Sequence, residues 1–303
     1  MPTFESRNGV LVVDKPADVT SAGVVAKIKE TLKVKKVGHT GALDPFATGV
    51  LLCCINKATK LARFFLQSRK TYRAVLYLGI ETDTQDATGR ISATGDVHDV
   101  THGQVEMAAK RFVGDLEQQP PAFSALKHKG TPLYKLARKG TPVLKPPRPV
   151  TIERIDIREI SLPEVDFEVT CSAGTYIRTL CADIGREVGC GGHLKALRRI
   201  ESSRFSITEA LGMEEIADLC QNGAIWNRLI PMADALRGVP AWSVGPEIVD
   251  KVAYGRPLTR EDGLENPIPA EGLIKVVDSS NRLLALVRRQ TQSQDFRYEG
   301  VFV

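Results

Sequence analysis

The first uninterrupted apolar run, Gly9-Val10-Leu11-Val12-Val13, reads as a strand that ends at Asp14-Lys15-Pro16, where proline stops regular pairing. Thr20 or Ser21 then caps a helix whose Val24, Val25, Ile28 and Leu32 share one face, with Lys27, Lys29 and Lys33 elsewhere. A loop from Val37 to Thr48 holds Gly38, Gly41 and Pro45, and a strand-like run Gly49–Ile55 follows. A helix is predicted around Lys60–Leu66. Alternation from Thr71 to Ile80 predicts a strand with Tyr72, Ala74, Leu76 and Leu78 on one face and Arg73, Val75 and Tyr77 on the other. Gln104–Phe112 reads as a helix and Asp166–Ser172 as a strand. After a turn at Ala173-Gly174, Thr175 opens a helix that turns Ile177, Leu180, Ile184 and Val188 inward and ends at Gly189. His193–Arg199 reads as a short basic helix, and Glu214–Leu219 and Arg228–Leu236 as further helices.

Beyond Gly238-Val239-Pro240 the pattern changes. Short runs such as Leu273–Val277 and Leu283–Val287 flank the turn sequence Asp278-Ser279-Ser280-Asn281, which predicts a small β-rich module after a boundary near residue 238. The 303 residues suffice for one large domain and this small one. No apolar run is long enough to cross a bilayer, and the N-terminus lacks a basic stretch followed by an apolar one, so no signal peptide and a soluble cytoplasmic protein are expected. Six cysteines without a Cys-x-x-Cys pair argue against disulfides and zinc and read as small buried apolar residues.

The formal net charge of +5 says less than its distribution. Residues 241–303 carry eight Lys/Arg and nine Asp/Glu, so the positive excess belongs to the preceding part. From Pro121 to Val150 there are seven Lys/Arg (Lys127, Lys129, Lys135, Arg138, Lys139, Lys145 and Arg148) and no acidic residue. A stretch of one sign carrying Phe123 and Tyr134 suits a phosphate backbone with aromatic support, although a solvated loop face has the same composition. Prolines 120, 121, 132, 142, 146, 147 and 149 make this stretch loop or extended chain around a short helix near Tyr134–Arg138.

Chemistry concentrates in Gly38–Gly49. The lysine-serine/threonine ending of a phosphate-binding P-loop is missing, as is Gly-x-Gly-x-x-Gly, which disfavours nucleotide hydrolysis. By spacing alone Asp44 is a turn residue before proline and His39 a structural histidine. Asp83 and Asp86 invite a metal-site reading, but the glycine-ended metal loop pattern is incomplete.

The run Gly38-His39-Thr40-Gly41-Ala42-Leu43-Asp44-Pro45-Phe46-Ala47-Thr48-Gly49-Val50-Leu51 closely resembles the catalytic loop of TruB-type tRNA pseudouridine synthases. Further segments match in order: Lys15-Pro16 with Thr20-Ser21, Lys70-Thr71-Tyr72, the runs 82–89 and 119–127, Gly174-Thr175-Tyr176-Ile177-Arg178-Thr179-Leu180, and His193–Arg199. Together they span roughly residues 9–212. One departure is Asp18, where the family usually has glycine; Asp must there tolerate a turn geometry, which it does better than most residues.

The resemblance implies an α+β pseudouridine synthase fold: a mixed, largely antiparallel sheet flanked by helices over residues 1–237, with 119–149 as a basic RNA-binding insertion, and a small PUA-like β domain over 238–303. It implies an isomerase acting on the uridine at position 55 in the T-loop of tRNA, with no cofactor and no metal, working as a monomer without a protein partner or membrane. It assigns Asp44 as nucleophile, Arg178 as its charge partner and Tyr72 as the aromatic that stacks on the flipped base and assists proton removal from C5. Tyr176 and Leu197 wall the uracil pocket, His39 contacts the RNA near the extruded nucleotide, and Lys15 lies near the site floor. Lys127, Arg138, Lys139, Arg148 and Arg198 are candidate contacts to RNA phosphates. A carboxylate serves this reaction by attacking C1′, by adding to C6, or as a base at C2′. The competing readings are a guide-RNA-dependent relative, an RNA chaperone that keeps the fold, and a glycosidase, for which no second carboxylate is evident.

Overall fold

The computed structural model describes residues 7–259, 262, 272–289 and 295–303. Strands β1 (Gly9–Lys15), β2 (Val37–His39) and β3 (Thr48–Ile55) pair antiparallel. The apolar runs of β1 and β3 are buried on both faces: Val10, Val12, Val50, Leu52 and Cys54 enter one core, and Leu11, Val13, Leu51, Cys53 and Ile55 another. Helix α1 (Ser21–Leu32) covers the second with Val24, Ile28 and Leu32. It begins where Gly23 N donates to Thr20 Oγ1 at 2.9 Å, satisfying an otherwise free amide.

A 3₁₀ turn leads into the short helix α2 (Ala62–Leu66) and then β4 (Lys70–Leu78). The hairpin β5 (Ile80–Thr82) and β6 (Ile91–Thr94) closes a loop around Asp86. Helix α3 (His102–Arg111) starts on a Thr101–Gln104 capping box and precedes β7 (Gly114–Gln118). The proline-rich basic stretch contributes only a minimal hairpin, β8 (Lys127–His128) with β9 (Thr131–Pro132), and helix α4 (Leu133–Arg138). Strands β10 (Arg148–Ser161) and β11 (Glu164–Cys171), helix α5 (Ile177–Val188) and strand β12 (Gly192–Ser202) follow. Helix α5 stops at Gly189 (φ +96). After β13 (Phe205–Ser206), helix α6 (Met213–Gln221) packs beside α1. Strand β14 (Ile230–Pro231) and the single-turn helix α7 (Met232–Ala235) come next.

The large sheet runs β14-β1-β3-β12-β4-β11-β10-β7, and β12 with β3 is its one parallel pairing. Tyr72, Ala74, Leu76 and Leu78 of β4 face Ile177, Leu180, Cys181 and Ile184 of α5 in a third core. Five of the cysteines are buried free thiols and Cys220 is half-buried.

Residues 241–301 supply a second sheet, β15-β17-β18-β19-β16, from β15 (Ala241–Ser243), β16 (Leu258–Thr259), β17 (Leu273–Val277), β18 (Leu283–Arg289) and β19 (Asp295–Val301), with helix α8 (Pro246–Ala253) against it. Strand β18 is buried on both faces. Leu284 and Val287 join the small core of Trp242 and Ile248, while Leu283 and Leu286 pack with Met232, Leu236 and Val10 of the large sheet's core.

Two local expectations need correction, and one strand went unread. Residues 193–199 form a strand, not a helix: β12 lies between β4 and β3, and pairing on both sides overrides the helix-forming Lys, Ala, Leu and Arg. Bulges between Leu194 and Ala196 and between Arg199 and Glu201 break the alternation that marks a strand. Residues 228–236 form β14 and a single helical turn rather than a longer helix, because Ile230 and Pro231 pair with β1. Strand β10 escapes pattern reading because irregularities near Ile152/Arg154 and Ile157/Glu159 shift its apolar phase twice.

Asp18 adopts the left-handed region at φ 61. Asp18→Gly removes that strain while adding chain entropy to the unfolded state, so urea denaturation should find it within about 0.5 kcal/mol of wild type. Asp18→Val should cost on the order of 1–2 kcal/mol.

Candidate active site

Asp44 sits on a loop that side chains from three elements hold still. Leu43 N donates to Ser21 Oγ at 2.8 Å, and that hydroxyl lies 3.2 Å from Leu43 O. Lys15, fully buried, donates from Nζ to Pro16 O (2.7 Å), Pro45 O (2.9 Å) and Ala47 O (2.6 Å). Burial pushes the Lys15 ammonium down to about 8 against the opposing pull of Asp18 and Asp44. From the other side Arg199 donates to Gly41 O at 3.1 Å and Val50 O at 2.7 Å. The loop ends at Gly49, where a Cβ would meet Arg199 O at 2.2 Å and φ is +104, so only glycine lets β12 approach.

Arg178, on the first turn of α5, is 5% exposed as a side chain and gathers three other segments. Its Nε lies 3.0 Å from Asp44 Oδ2, a charge contact rather than an aligned hydrogen bond, and Nη2 reaches Asp44 Oδ1 at 3.5 Å. Nη1 donates to Thr84 O at 3.1 Å and lies 3.5 Å from Asp86 Oδ2, and Nη2 donates to Phe123 O at 2.9 Å. Asp86 is as buried as Arg178. Its Oδ1 accepts from Thr84 Oγ1 (2.8 Å), Thr88 N (2.9 Å) and Thr88 Oγ1 (2.5 Å). The Asp44 side chain is 39% exposed and opens into a cavity. The two carboxylates are therefore unequal: one is buried with three hydrogen bonds on a single oxygen, and the other has oxygen surface open to the cavity.

Burial raises the Asp44 carboxyl above its ordinary value of 3.8, and Asp86 adds to this, while Arg178 and, less strongly, Lys15 pull it down. The guanidinium is what offsets desolvation and keeps a carboxylate available in a half-closed site.

The cavity holds about 250 Å³ and brings together Asp44, Tyr72, Tyr176, Arg178 and Leu197, with Lys70, Arg148 and Arg199 on its walls. Tyr72, on β4, is 8% exposed. Burial raises its phenol above the ordinary value of 10.0 while Arg199 opposes, so the ring enters as a neutral face and a donor. Tyr176 caps α5 instead of lying within it, and the Gln118 amide clasps its backbone: Tyr176 N donates to Oε1 at 2.7 Å and Nε2 donates to Tyr176 O at 3.0 Å. Arg148 donates to Gly174 O and stacks over the Tyr176 ring with Cζ 5.0 Å from its centroid. Lys70 donates to Leu66 O (2.8 Å) and Ser68 O (2.5 Å), and burial pushes it down to about 8.

His39 and Lys15 do not line this cavity. His39 lies behind the loop, its Nδ1 accepting from Gly41 N at 3.4 Å, and burial followed by Arg199 holds it below 6.5, in the neutral form. Arg198 is engaged by Asp14 (3.1 and 2.7 Å) and Thr48 Oγ1 (3.2 Å) and ties β12 to its neighbours. Lys127 and Lys139 are exposed, and Arg138 leans over Tyr134 with Cζ 5.6 Å from its ring. Asp86, Arg199, Gln118 and Ser21 escaped sequence reasoning as site residues. The available signal was membership in matching segments: Ser21 in Thr20-Ser21, Asp86 in the Thr/Asp-dense run 82–89, and Arg199 in His193–Arg199.

A single open carboxylate beside an aromatic ring suits attack on, or stabilisation of, an electron-poor carbon. A two-carboxylate glycosidase does not fit, because Asp86 is buried, with three hydrogen bonds on Oδ1 and Oδ2 turned to Arg178.

Residues 29–177 match the family model for the TruB family pseudouridylate synthase N-terminal domain, and residues 178–237 that for the tRNA pseudouridylate synthase B C-terminal domain. A relative from Syntrophotalea carbinolica named tRNA pseudouridine synthase B is 44% identical over 84% of this chain and 83% of its own. One of the same name from Clostridium kluyveri is 40% identical over 97% and 98%. Among solved structures, a Cbf5-Nop10-Gar1 complex aligns with TM-score 0.76 and 26% identity over 97% of this chain and 85% of that one. An H/ACA RNP bound to a substrate RNA containing 2′-deoxyuridine aligns with TM-score 0.75 and 25% identity over the same shares.

Carboxyl ¹³C NMR tests the electrostatics of the pair. Asp44 should titrate above 3.8, and Asp86→Asn, by removing the negative neighbour, should move its midpoint to lower pH. A midpoint that stays or rises contradicts the coupling described here.

Proposed function

The chain belongs to the TruB family of pseudouridylate synthases, and on that premise we infer that its cavity isomerises uridine to pseudouridine in tRNA, at position 55 of the T-loop, with Asp44 as nucleophile. The observation that carries this assignment is the unequal pair on Arg178: Asp44 is open to the cavity while Asp86 is sealed.

The target uridine leaves its stack and enters the cavity, where the Tyr72 ring offsets part of the unstacking cost. Tyr176 and Leu197 bound the other sides. The Asp44 carboxylate acts at the nucleotide, the C1′–N1 bond breaks, and the detached uracil turns within walls that prevent its escape. The C1′–C5 bond forms, C5 loses its proton and N1 gains one. Nothing is oxidised or reduced and no phosphoryl group moves, so the reaction calls for neither redox cofactor, nucleotide nor metal. Arg178 holds Asp44 ionised and aimed, and Lys15, Ser21 and Arg199 fix the loop that carries it.

The division of labour along the chain is a catalytic domain over 1–237 and a PUA-like domain over 238–303. Lys127, Arg138, Lys139 and Arg148 hold RNA phosphates along the 119–149 segment, and His39 braces the loop beside the extruded nucleotide. Because Phe123 O accepts from Arg178, this RNA-binding segment bears directly on the catalytic ion pair. The protein acts as a cytoplasmic monomer without a protein partner. In support, relatives named tRNA pseudouridine synthase B match it nearly end to end, and no helix among the described residues is long and apolar enough to cross a membrane.

Purified protein alone is incubated with unmodified tRNA, and pseudouridine is read by carbodiimide-dependent reverse-transcription stops. Wild type should give a stop at position 55. Asp44→Asn should give none while binding tRNA within a few-fold of wild type, since Arg178 keeps Asp86 as partner. Equal product from both proteins would falsify the nucleophile assignment, and product only in the presence of a guide RNA would overturn the stand-alone reading.

A further inference from the structure

Helix α2 and the turn after it have two faces. Leu66 and Lys70 wall the catalytic cavity, whereas Arg63, Gln67 and Ser68 wall a second cavity of about 480 Å³. This second cavity lies where the two sheets meet. The Ser203-Arg204 turn after β12 and the connection Leu236–Val239 form one side, and Arg288 of β18 with Arg297 and Glu299 of β19 form the other.

Five guanidiniums line it: Arg63, Arg204, Arg237, Arg288 and Arg297. Three of them share one carboxylate, since Glu299 lies 3.9 Å from Arg63, 3.6 Å from Arg288 and 2.7 Å from Arg297. Arg237 pairs with Glu209 at 2.7 Å, and Arg204 has no carboxylate partner among the described residues. Five cations thus meet two carboxylates. The side chains of Arg63, Arg288 and Arg297 are 59%, 51% and 65% exposed, and pairs so exposed add little stability. Residues 241–303 carry a net charge of −1, yet they turn Arg288 and Arg297 toward this cleft.

The backbone is built to present these groups. Ser203 and Arg204, both at positive φ (55 and 67), are the central residues of the tight hairpin that pairs Ser202 with Phe205, which sets Arg204 at the tip of the turn. Gly238 (φ +76) leaves room for Arg204, whose Nη1 would lie 2.3 Å from a Cβ there. Arg237 stacks on Phe205 at 3.9 Å and donates to Arg204 O at 2.7 Å, bracing the same turn. The Ser68 and Ser203 hydroxyls, 2.6 Å apart, bond to each other and to Phe65 O, which fixes this turn against α2.

We propose that this arginine cleft between the two sheets is a second RNA site, holding backbone phosphates of the substrate beyond the nucleotide in the catalytic cavity. An excess of cations in a concave surface fits a polyanion. One five-residue helix separates the cleft from the catalytic cavity, so a single RNA can run along both. The proposal rests on the tRNA substrate inferred above.

The test is the double variant Arg204→Gln/Arg288→Gln, with binding of unmodified tRNA measured by fluorescence anisotropy across a KCl series. Affinity should weaken about fivefold or more, and the slope of log K against log salt should shrink by roughly one to two. The double variant Arg204→Lys/Arg288→Lys, which keeps both charges, should stay close to the wild-type slope. Pseudouridine formation at saturating tRNA should remain near wild type, because neither arginine lines the catalytic cavity. A folded Gln variant with wild-type affinity and slope overturns the proposal, as does a Lys variant that loses as much as the Gln variant. If the Gln variant does not fold, Arg297→Gln on the exposed rim carries the same test, with a slope change of about one. Wild-type turnover on the same tRNA is recorded in parallel: its absence speaks against the functional reading, whereas an unchanged slope speaks against the cleft alone.

Discussion

A guanidinium almost sealed from solvent organises this molecule. Removing Arg178 from water costs several kcal/mol unless its charge and donors are met. The chain meets them from three distant segments: Asp44, Thr84 O with Asp86, and Phe123 O, all brought to the first turn of α5. Two carboxylates around one cation leave a net negative charge, and its distribution is decided by hydrogen bonding. Asp86 is occupied by Thr84 and Thr88, so Asp44 keeps the free oxygen surface. One aspartate is enclosed and the other open to the cavity, although the same arginine holds both.

The rest of the fold makes this arrangement rigid. The loop carrying Asp44 is anchored to carbonyls by Lys15 and Arg199 and to a hydroxyl by Ser21, which replaces mobile solvation with fixed partners. Those anchors stand on β1, β12 and α1, and the first two belong to a sheet whose paired strands β1 and β3 are buried on both faces. At sites built on such strands, geometry is held by packing, which is what positioning an attacking oxygen requires. Arg148 and Tyr176, both half-buried, stack on the cavity wall at the end of the basic segment.

Much of this was legible in the sequence where local pattern and environment agree. The strands β1, β3, β4 and β11 follow their apolar runs, and α1 and α5 follow their caps and periodicity. Asp44, Tyr72, Tyr176, Arg178 and Leu197, the residues that the family resemblance singles out, lie around one cavity. What escaped depends on long-range contacts. Reading 193–199 as a helix hid the fact that neighbouring arginines face opposite ways: Arg199 is 2% exposed and braces the catalytic loop, while Arg198 is held by Asp14. Asp86 looked like a loop carboxylate because nothing local reveals that a guanidinium some ninety residues later lies beside it. Gln118 resembled any strand-end polar residue until its amide was found clasping Tyr176. Buried polar groups with distant partners leave no periodic trace, so sequence pattern finds the scaffold more readily than the bracing.

The central claim is that Arg178 keeps Asp44 charged and aimed. The most direct measurement is the single-turnover rate of pseudouridine formation by Arg178→Met, beside its affinity for tRNA and its melting temperature. In folded protein the account predicts a rate lower by about 10²–10³ or more, with tRNA affinity within a few-fold of wild type. A folded variant that turns over within a few-fold of the wild-type rate would contradict it.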